Sequence, residues 1–214
     1  MLYVFSVSLS GRVFAALYDP MMARTEKAGL ADRRTQLLEQ ARGRVLEIGG
    51  GTGANLPYYG DAVEEVIFVE PEEPMARRLE RKLAAADVRA RVVRASAEQL
   101  PFDDEAFDTA VSTLVLCTVP DQPRALREVR RVLKPTGRFL FLEHVRSDDA
   151  TLARWQDRLN GLNRRLGHGC NCNRDTMTAI SDAGFEVGEV THDRLPKAPP
   201  LVRPLVVGVA TRGG

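Results

Sequence analysis

A run of glycines after a short apolar segment offers the first chemistry in the sequence. Residues 45–48 read as a buried strand, and Gly49, Gly51 and Gly53 follow it directly. Glycine lets the backbone turn sharply and approach a ligand that a Cβ atom would exclude. Such a loop serves nicotinamide dinucleotides as well as S-adenosylmethionine, so by itself it does not separate the two ligands.

Two carboxylates near this loop narrow the choice. Glu70 ends the next predicted strand, where its side chain can accept hydrogen bonds from both ribose hydroxyls of either ligand. Glu47 lies within the first strand, faces the loop, and would repel a pyrophosphate. The same charge would attract the ammonium group of an amino-acid tail, which favours S-adenosylmethionine.

Alternating apolar strands and helical segments from Arg44 onward predict a parallel sheet with helices on both faces. The last two strands are joined by a loop too short for a helical crossover, so we expect them to pair antiparallel. The predicted strands are 45–48, 65–69, 91–94, 109–113, 138–144, 185–191 and 206–211. The predicted helices are 11–18, 74–86, 122–133, 152–166, and one that runs from a cap at Asn173 to about Gly184.

The chain is expected to form one methyl-donor-binding domain over residues 44–214, with residues 1–43 as its N-terminal helical cap. The apolar segment up to Tyr18 is interrupted by Arg12 and several serines, which argues against a signal peptide or a membrane span. We expect it to cover a pocket or the core, with contact to a membrane surface as the alternative. The expected location is the cytoplasm, and peripheral attachment to a membrane is the alternative.

Composition excludes other classes. Thirty basic and 29 acidic residues give a net charge of +1, so no strong field gathers nucleic acid. Three cysteines do not form a disulfide framework in a chain of 214 residues, which predicts a reducing compartment. His168, Cys170 and Cys172 alternate but lack a fourth zinc ligand nearby, so we expect no metal. The sequence predicts no particular oligomeric state.

The order of several motifs resembles the class I S-adenosylmethionine-dependent methyltransferases. Besides Glu47 with the glycine loop, these motifs are Glu70-Pro71, residues 97–102, Phe107-Asp108 and residues 126–137. The resemblance covers about residues 44 to 145. It implies an α/β fold of Rossmann-like, doubly wound type, with a seven-stranded, mostly parallel sheet, an antiparallel last strand and three αβα layers.

The same resemblance implies which residues bind the methyl donor, and that S-adenosylhomocysteine is the product. Expected donor contacts are Glu47, Gly49, Gly51 and Gly53 at the methionine end, Glu70 at the ribose, Met75, Ala97 and Glu98 at the adenine, and also Thr113.

The segment 113–120, after the fourth strand, normally faces the methyl acceptor in this fold. It lacks the Asn/Asp-Pro-Pro-aromatic box of the enzymes that methylate base or amide nitrogens, and the chain lacks the magnesium ligands of catechol methyltransferases. We therefore expect an apolar pocket for a small lipophilic acceptor. The expected acceptor contacts are Tyr18, Leu116, Cys117, Asn171 and Arg174.

Residues 143–204 are similar to the small thiol and alkyl methyltransferases of the methyltransferase-like group, which favours a thiol. Quinone-biosynthesis and phospholipid N-methyltransferases share the earlier motifs and stay open as alternatives. Outside this class, an NAD(P)-dependent oxidoreductase and a non-catalytic S-adenosylmethionine-binding module also stay open. His144 is the candidate proton acceptor, unless it is only a strand-end histidine bonded to the backbone.

Overall fold

Seven strands form one sheet in the computed structural model, which describes residues 9–86 and 89–213. The sheet order is β3-β2-β1-β4-β5-β7-β6, and β7 runs antiparallel to both of its neighbours. The prediction of a mostly parallel sheet with an antiparallel last strand is therefore confirmed. The strands are β1 (Gly43–Ile48), β2 (Val63–Val69), β3 (Ala90–Val93), β4 (Phe107–Thr113), β5 (Leu133–His144), β6 (Glu186–Arg194) and β7 (Pro204–Thr211).

Helices cover both faces of this sheet, and a π-helical turn, Glu26–Leu30, joins the first two of them. None of the helices in the described part of the chain is both long and apolar enough to cross a membrane. The helices are α1 (Leu9–Thr25), α2 (Ala31–Leu38), α3 (Glu73–Leu83), α4 (Gln122–Val132), α5 (Ala150–Leu166) and α6 (Thr176–Asp182).

Side chains that alternate along the strands build the two apolar layers. In β5, Phe139 and Phe141 belong to the same apolar cluster as Val129 of α4. Leu140, between them in sequence, belongs to the cluster on the other face, with Leu38 of α2. Since successive strand residues point to opposite faces, this alternation places helices above and below the sheet, in three αβα layers.

The first helix is longer than the sequence predicts. The predicted helix covers residues 11–18, directly before Asp19 and Pro20. In the structure α1 continues through Pro20 to Thr25. Proline removes one backbone donor from the helix interior without ending it here.

The helix before β6 is capped by a different residue from the one predicted. Asp175 accepts a hydrogen bond from the Thr178 amide at 3.0 Å. Asn173 instead donates from Nδ2 to Asp157 of α5 at 3.1 Å. The carboxylate at 175 lies three residues before the donor, as N-cap geometry requires, whereas Asn173 lies too early.

Strands β1 and β4 bring the predicted site together. They are parallel neighbours at the centre of the sheet, and Ile48 pairs with Ser112 at their carboxyl ends. The strand order reverses between them, because the sheet grows toward β2 on one side and β5 on the other. Ligands of open α/β sheets bind at such a point.

Candidate active site

Each glycine after β1 is required for a different structural reason. Gly49, Gly51 and Gly53 have φ values of +61°, +53° and +81°. A Cβ at Gly49 would lie 2.5 Å from the Val115 side chain, and one at Gly53 would lie 2.7 Å from Leu79. At Gly51 the nearest atom would be the Gly49 carbonyl oxygen, 3.8 Å away. Neighbouring side chains therefore pack tightly against Gly49 and Gly53, whereas the space beside Gly51 is open and has room for a ligand.

Glu70 ties the loop to the start of α3. Its carboxylate accepts hydrogen bonds from the backbone amides of Gly51, at 2.7 Å, and of Glu72, at 2.8 Å. Burial raises the pKa of Glu70 to about 7, against the effect of these two bonds. The carboxylate lies at the loop, as predicted, and its contact with a ribose stays a prediction.

Glu47 lines a recess beside the glycine loop. Its side chain is buried and accepts a hydrogen bond from the Tyr59 hydroxyl at 2.5 Å. Burial raises the pKa of Glu47 to about 7, although Tyr59, Asn55 and the charge of Arg34 each favour the carboxylate. A cationic ligand group would stabilise the charged form further.

Arg34 of α2 supplies the opposite charge in the same recess. The guanidinium is 2 % exposed, and it donates to Oδ1 of Asn55 at 2.6 Å and to Oγ1 of Thr113 at 3.1 Å. It also pairs with Glu26 at 3.1 Å. Arg34 and Glu47 together suit the carboxylate and ammonium groups of an amino acid. The recess is lined by Tyr18, Arg34, Glu47, Gly49, Gly50, Gly51, Thr52, Ala54, Asn55 and Thr113.

Helix α1 lies over this recess. Asp19 accepts from the Thr52 hydroxyl at 2.5 Å and from Lys82 Nζ at 3.0 Å, which joins α1 to the loop and to α3. Burial raises the pKa of Tyr18 to about 12; the charge of Arg34 opposes this shift, and Cys117 reinforces it. Tyr18 therefore lies within electrostatic reach of both the recess and the segment after β4.

The residues predicted to border adenine lie farther along the same edge. Met75, in the first turn of α3, is 8 % exposed, and Ala97, after β3, is 6 % exposed. Glu98 accepts from the Asp121 amide at 3.1 Å and also bonds the Ser96 hydroxyl. These bonds hold the loop after β3 against the start of α4, and the adenine contacts themselves stay predictions.

A buried carboxylate fixes the segment after β4. Glu143 accepts from the Ser112 hydroxyl at 2.5 Å and from the amides of Val115 and Leu116 at 3.0 and 3.1 Å. Burial raises the pKa of Glu143 to about 7 in spite of these bonds. The backbone that leads into Cys117 is therefore held in one conformation.

Cys117, His144 and Cys170 form a cluster beyond this segment. Nδ1 of His144 lies 3.9 Å from the Cys117 sulfur and 3.7 Å from the Cys170 sulfur. Hydrogen bonds from Cys117 and, less strongly, His144 lower the pKa of the Cys170 thiol, and the same bond between the thiols raises the pKa of Cys117. Nε2 of His144 is buried and has no hydrogen-bond partner among the described residues.

The cluster differs from the group that the sequence brings to attention. His168 stacks on Phe14 of α1, with ring centroids 4.1 Å apart, instead of joining Cys170. The Cys172 sulfur lies 3.9 Å from Oδ1 of Asn160 on α5. His168, Cys170 and Cys172 thus have different surroundings, and the contacts of Cys170 come from Cys117, in the segment after β4, and His144, at the end of β5.

Three predicted acceptor contacts hold backbone in place. Leu116 is fully buried in the core, and its carbonyl accepts from Nη1 of Arg174 at 2.5 Å. The Asn171 amide donates to the Cys117 carbonyl at 2.8 Å, and its side chain donates to the same oxygen at 3.2 Å. These bonds fasten the turn before α6 to the segment after β4, and direct contact with an acceptor stays a prediction.

Arg34, Asn55 and Tyr59 are site residues that the sequence analysis missed. Asn55 and Tyr59 follow the glycine loop closely, so a polar side chain directly after the loop was a usable signal. Arg34 offered no local signal, because its bond to Thr113 joins residues that are far apart in the chain. Only the folded N-terminal cap brings it to the recess.

Comparison with known proteins agrees with this geometry. Residues 46–141 match a family model described as a methyltransferase domain. A human thiol S-methyltransferase is 32% identical over 203 residues, which cover 93% of this chain and 83% of that protein. A phosphatidylethanolamine N-methyltransferase of Cereibacter sphaeroides is 31% identical, covering 82% of this chain and 86% of the relative.

A solved structure extends the likeness to the whole fold. The crystal structure of an S-adenosylmethionine-dependent methyltransferase from Thermotoga maritima superposes with a TM-score of 0.69 at 25% identity, over 94% of this chain and 97% of that one. The resemblance read from the motifs is thereby confirmed, and with it an enzyme that uses S-adenosylmethionine. The chain belongs to the class I S-adenosylmethionine-dependent methyltransferases.

Proposed function

We propose that the chain methylates the sulfur of a small lipophilic thiol. The observation that carries this proposal is His144, whose ring lies against two cysteine sulfurs and keeps one buried nitrogen without a partner among the described residues. A thiolate is the reactive form of a thiol, so a site for thiols needs a group that accepts or directs the proton. The likeness to a thiol S-methyltransferase over 93% of the chain supports the same reading.

In this function, the recess between Glu47 and Arg34 binds the methyl donor, and we call it the donor recess. S-adenosylmethionine supplies a methyl group activated by a positively charged sulfur. Glu47 and Arg34 bind the ammonium and carboxylate of its amino-acid end, and the open space at Gly51 admits the nucleoside. Alignment and exclusion of water are the main demands of such a displacement, and α1 provides cover through Tyr18 and Asp19.

A phospholipid amine is the second candidate acceptor. It is favoured by the likeness to a phosphatidylethanolamine N-methyltransferase that covers 86% of that protein. A quinone ring carbon is the third, since the sequence motifs are shared with quinone-biosynthesis enzymes. The contacts of the donor recess do not distinguish these acceptors.

We also propose that α1 and α5 rest on a membrane surface, where a lipophilic acceptor would be concentrated. Val13, Leu17 and Met21 lie one turn apart on α1 and are 50%, 51% and 58% exposed. On α5, Trp155 and Leu166 are 50% and 75% exposed. Exposed arginines on α5 flank the apolar residues, at positions 154, 158, 164 and 165. Apolar side chains beside basic ones are typical of helices that lie in the lipid interface.

A competition assay tests the acceptor. Purified protein receives S-adenosylmethionine with an isotopically labelled methyl group and an equimolar mixture of an alkyl thiol, a ubiquinol precursor and phosphatidylethanolamine in detergent. We expect the label in the methyl thioether. Label found only in the amine or the quinol would reject the thiol assignment in favour of that acceptor.

A further inference from the structure

We propose that Cys117, His144 and Cys170 form a Cys2His site for a thiophilic divalent metal ion, zinc foremost, whose fourth position takes the acceptor thiol. The role of the fourth position rests on the proposed thiol function, whereas metal binding by the three side chains does not. The three ligand atoms, two sulfurs and Nδ1, lie within 4.8 Å of one another.

The spacing of these atoms fits such an ion. Zinc bonds of about 2.3 Å to sulfur and about 2.0 Å to nitrogen place the two atoms about 3.5 Å apart in a tetrahedral site. The observed separations from His144 Nδ1 are 3.9 Å to Cys117 and 3.7 Å to Cys170. Both separations are close to this value, so small side-chain rotations would bring the nitrogen and each sulfur to the spacing that a bound ion requires.

The backbone around each ligand is held in place. Glu143 binds the amides of Val115 and Leu116, just before Cys117. The Cys170 carbonyl accepts from Nδ2 of Asn163 at 2.7 Å. His144 is the last residue of β5 and pairs with β7. Ligands supplied by three separate, fixed elements are typical of a site that exists before the ion binds, because little order is lost on binding.

Three protein ligands suit a reactive metal site better than a structural one. Structural zinc is held by four side chains, whereas catalytic zinc keeps one position for water or substrate. The cluster also lies near the donor recess, since Cys117 is four residues after Thr113, which lines the recess, and a negative charge on Cys117 raises the pKa of Tyr18, which lines it too. An acceptor on the fourth position would thus be next to the methyl donor.

The chemistry balances with no oxidant or reductant. A thiol that coordinates the metal loses its proton to water and binds as a thiolate. With Nδ1 on the metal, His144 keeps its ring hydrogen on Nε2, so in this site it serves the thiol as a ligand of the metal and not as the proton acceptor. Its sulfur then forms a bond to the methyl carbon while the bond between that carbon and the donor sulfonium breaks. The electron pair of the broken bond stays on the donor sulfur, which becomes the neutral thioether of S-adenosylhomocysteine. The methylated acceptor is a neutral thioether and a weaker ligand, so it can leave.

Cobalt(II) titration of the fully reduced protein tests metal binding without any turnover. We expect one equivalent of cobalt to produce a sulfur-to-cobalt charge-transfer band and the visible bands of tetrahedral coordination. Cys117→Ser and Cys170→Ser should each lose most of the charge-transfer intensity, and His144→Gln should weaken binding at least tenfold. Cys172→Ser is the matched control and should keep the full spectrum, because its sulfur lies against Asn160 instead.

Folding of each variant is checked by the rise in melting temperature that S-adenosylhomocysteine produces, which depends on the separate donor recess. A wild-type protein with three free thiols and no cobalt band would overturn the proposal. So would a Cys172→Ser variant that loses the band as completely as Cys170→Ser.

Binding of the acceptor thiol at the fourth coordination position of the metal is measured separately. Adding an alkyl thiol to the cobalt-loaded protein should shift the visible bands, and the corresponding methyl thioether should not. If the bands form but do not respond to the thiol, the metal site stands and the coordination of the acceptor is rejected. If metal-free protein methylates thiols at the full rate, the thiol function stands and the metal site has no part in it.

Discussion

The Arg34 guanidinium donates to Oδ1 of Asn55 at 2.6 Å, and this bond joins the N-terminal cap to the segment that directly follows the glycine loop. Asn55 in turn contacts the end of β4, because its Nδ2 donates to Oγ1 of Thr113 at 2.9 Å. One buried cation therefore orders side chains that follow both β1 and β4. The N-terminal cap therefore supplies Tyr18 and Arg34 to the lining of the recess that we propose as the donor site.

Replacing Arg34 with methionine should weaken donor binding strongly. Hydrogen bonds to a charged group contribute about 1.5 to 3 kcal/mol, which corresponds to roughly tenfold to a hundredfold in affinity. Calorimetric titration with S-adenosylhomocysteine measures the change. Arg33→Met is the matched control, since its side chain pairs with Asp193 outside the recess. Equal affinity in the two variants would show that Arg34 serves only to pack the cap.

A single methyl group at Gly51 should remove donor binding while the fold survives. The Cβ of Gly51→Ala would meet no protein atom closer than 3.8 Å, so it would enter the space reserved for the ligand. The residue has φ +53°, which costs an alanine about 1 to 2 kcal/mol of stability. We expect a modestly lower melting temperature that no longer rises with S-adenosylmethionine.

Gly60→Ala is the control for this change. A Cβ at Gly60 would have nothing within 4 Å, and that residue lies outside the donor recess. Its melting temperature should therefore rise with the ligand as the wild type does. If Gly51→Ala responds to the ligand as fully as Gly60→Ala, the ligand does not lie in front of the loop.

The sequence predicted the fold class and the order of the strands along the chain, and it predicted that the glycine loop and Glu70 lie together. Buried strands, the glycine loop and Glu70 can be recognised from local sequence patterns. The topology of the sheet was expected because these patterns together resemble a known family. Arg34 was missed because its partners are distant in sequence. The grouping of Cys117 with His144 and Cys170 was missed for the same reason, and neighbouring positions 168 and 172 drew attention instead. Local spacing predicts what one element presents, whereas packing of separate elements decides which side chains meet.

Donor affinity should rise with pH through neutrality. Burial raises the pKa of Glu47 from 4.5 to about 7, so at pH 6 the free protein carries mostly the uncharged acid, which cannot pair with the donor's ammonium group. A carboxylate that is required for binding and titrates near 7 makes affinity about tenfold weaker at pH 6 than at pH 8. Comparing the pH dependence of wild type with that of Glu47→Gln isolates this group. A wild-type profile as flat as the variant's would contradict the assignment.

Stability of the unligated protein should change in the opposite sense. A folded-state pKa above the unfolded value means that the native state holds the proton more tightly than the unfolded chain. Glu47 and Glu70, both raised to about 7, therefore stabilise the fold fully below pH 4.5, and this contribution is lost as pH rises through 7. Glu47→Gln should reduce the fall in unfolding free energy between pH 5 and 8. Chemical denaturation at several pH values measures it, and a steeper fall in the variant would contradict the burial argument.

The exposed stripe on α1 makes the membrane proposal testable with one charge. Burying a leucine side chain in an apolar environment contributes about 1.5 to 3 kcal/mol, so Leu17→Asp should weaken vesicle binding by about tenfold or more. Sedimentation with vesicles of phosphatidylcholine and phosphatidylglycerol measures the bound fraction. Thr136→Asp adds the same charge at an exposed site near the amino end of β5, whereas the donor recess lies at the carboxyl ends of the parallel strands, and this variant should bind as the wild type does. If both variants lose binding equally, only the net charge matters and α1 does not contact lipid.

Because Leu17 is 51% exposed, its substitution should leave thiol methylation in vesicle-free solution intact, which separates attachment from catalysis.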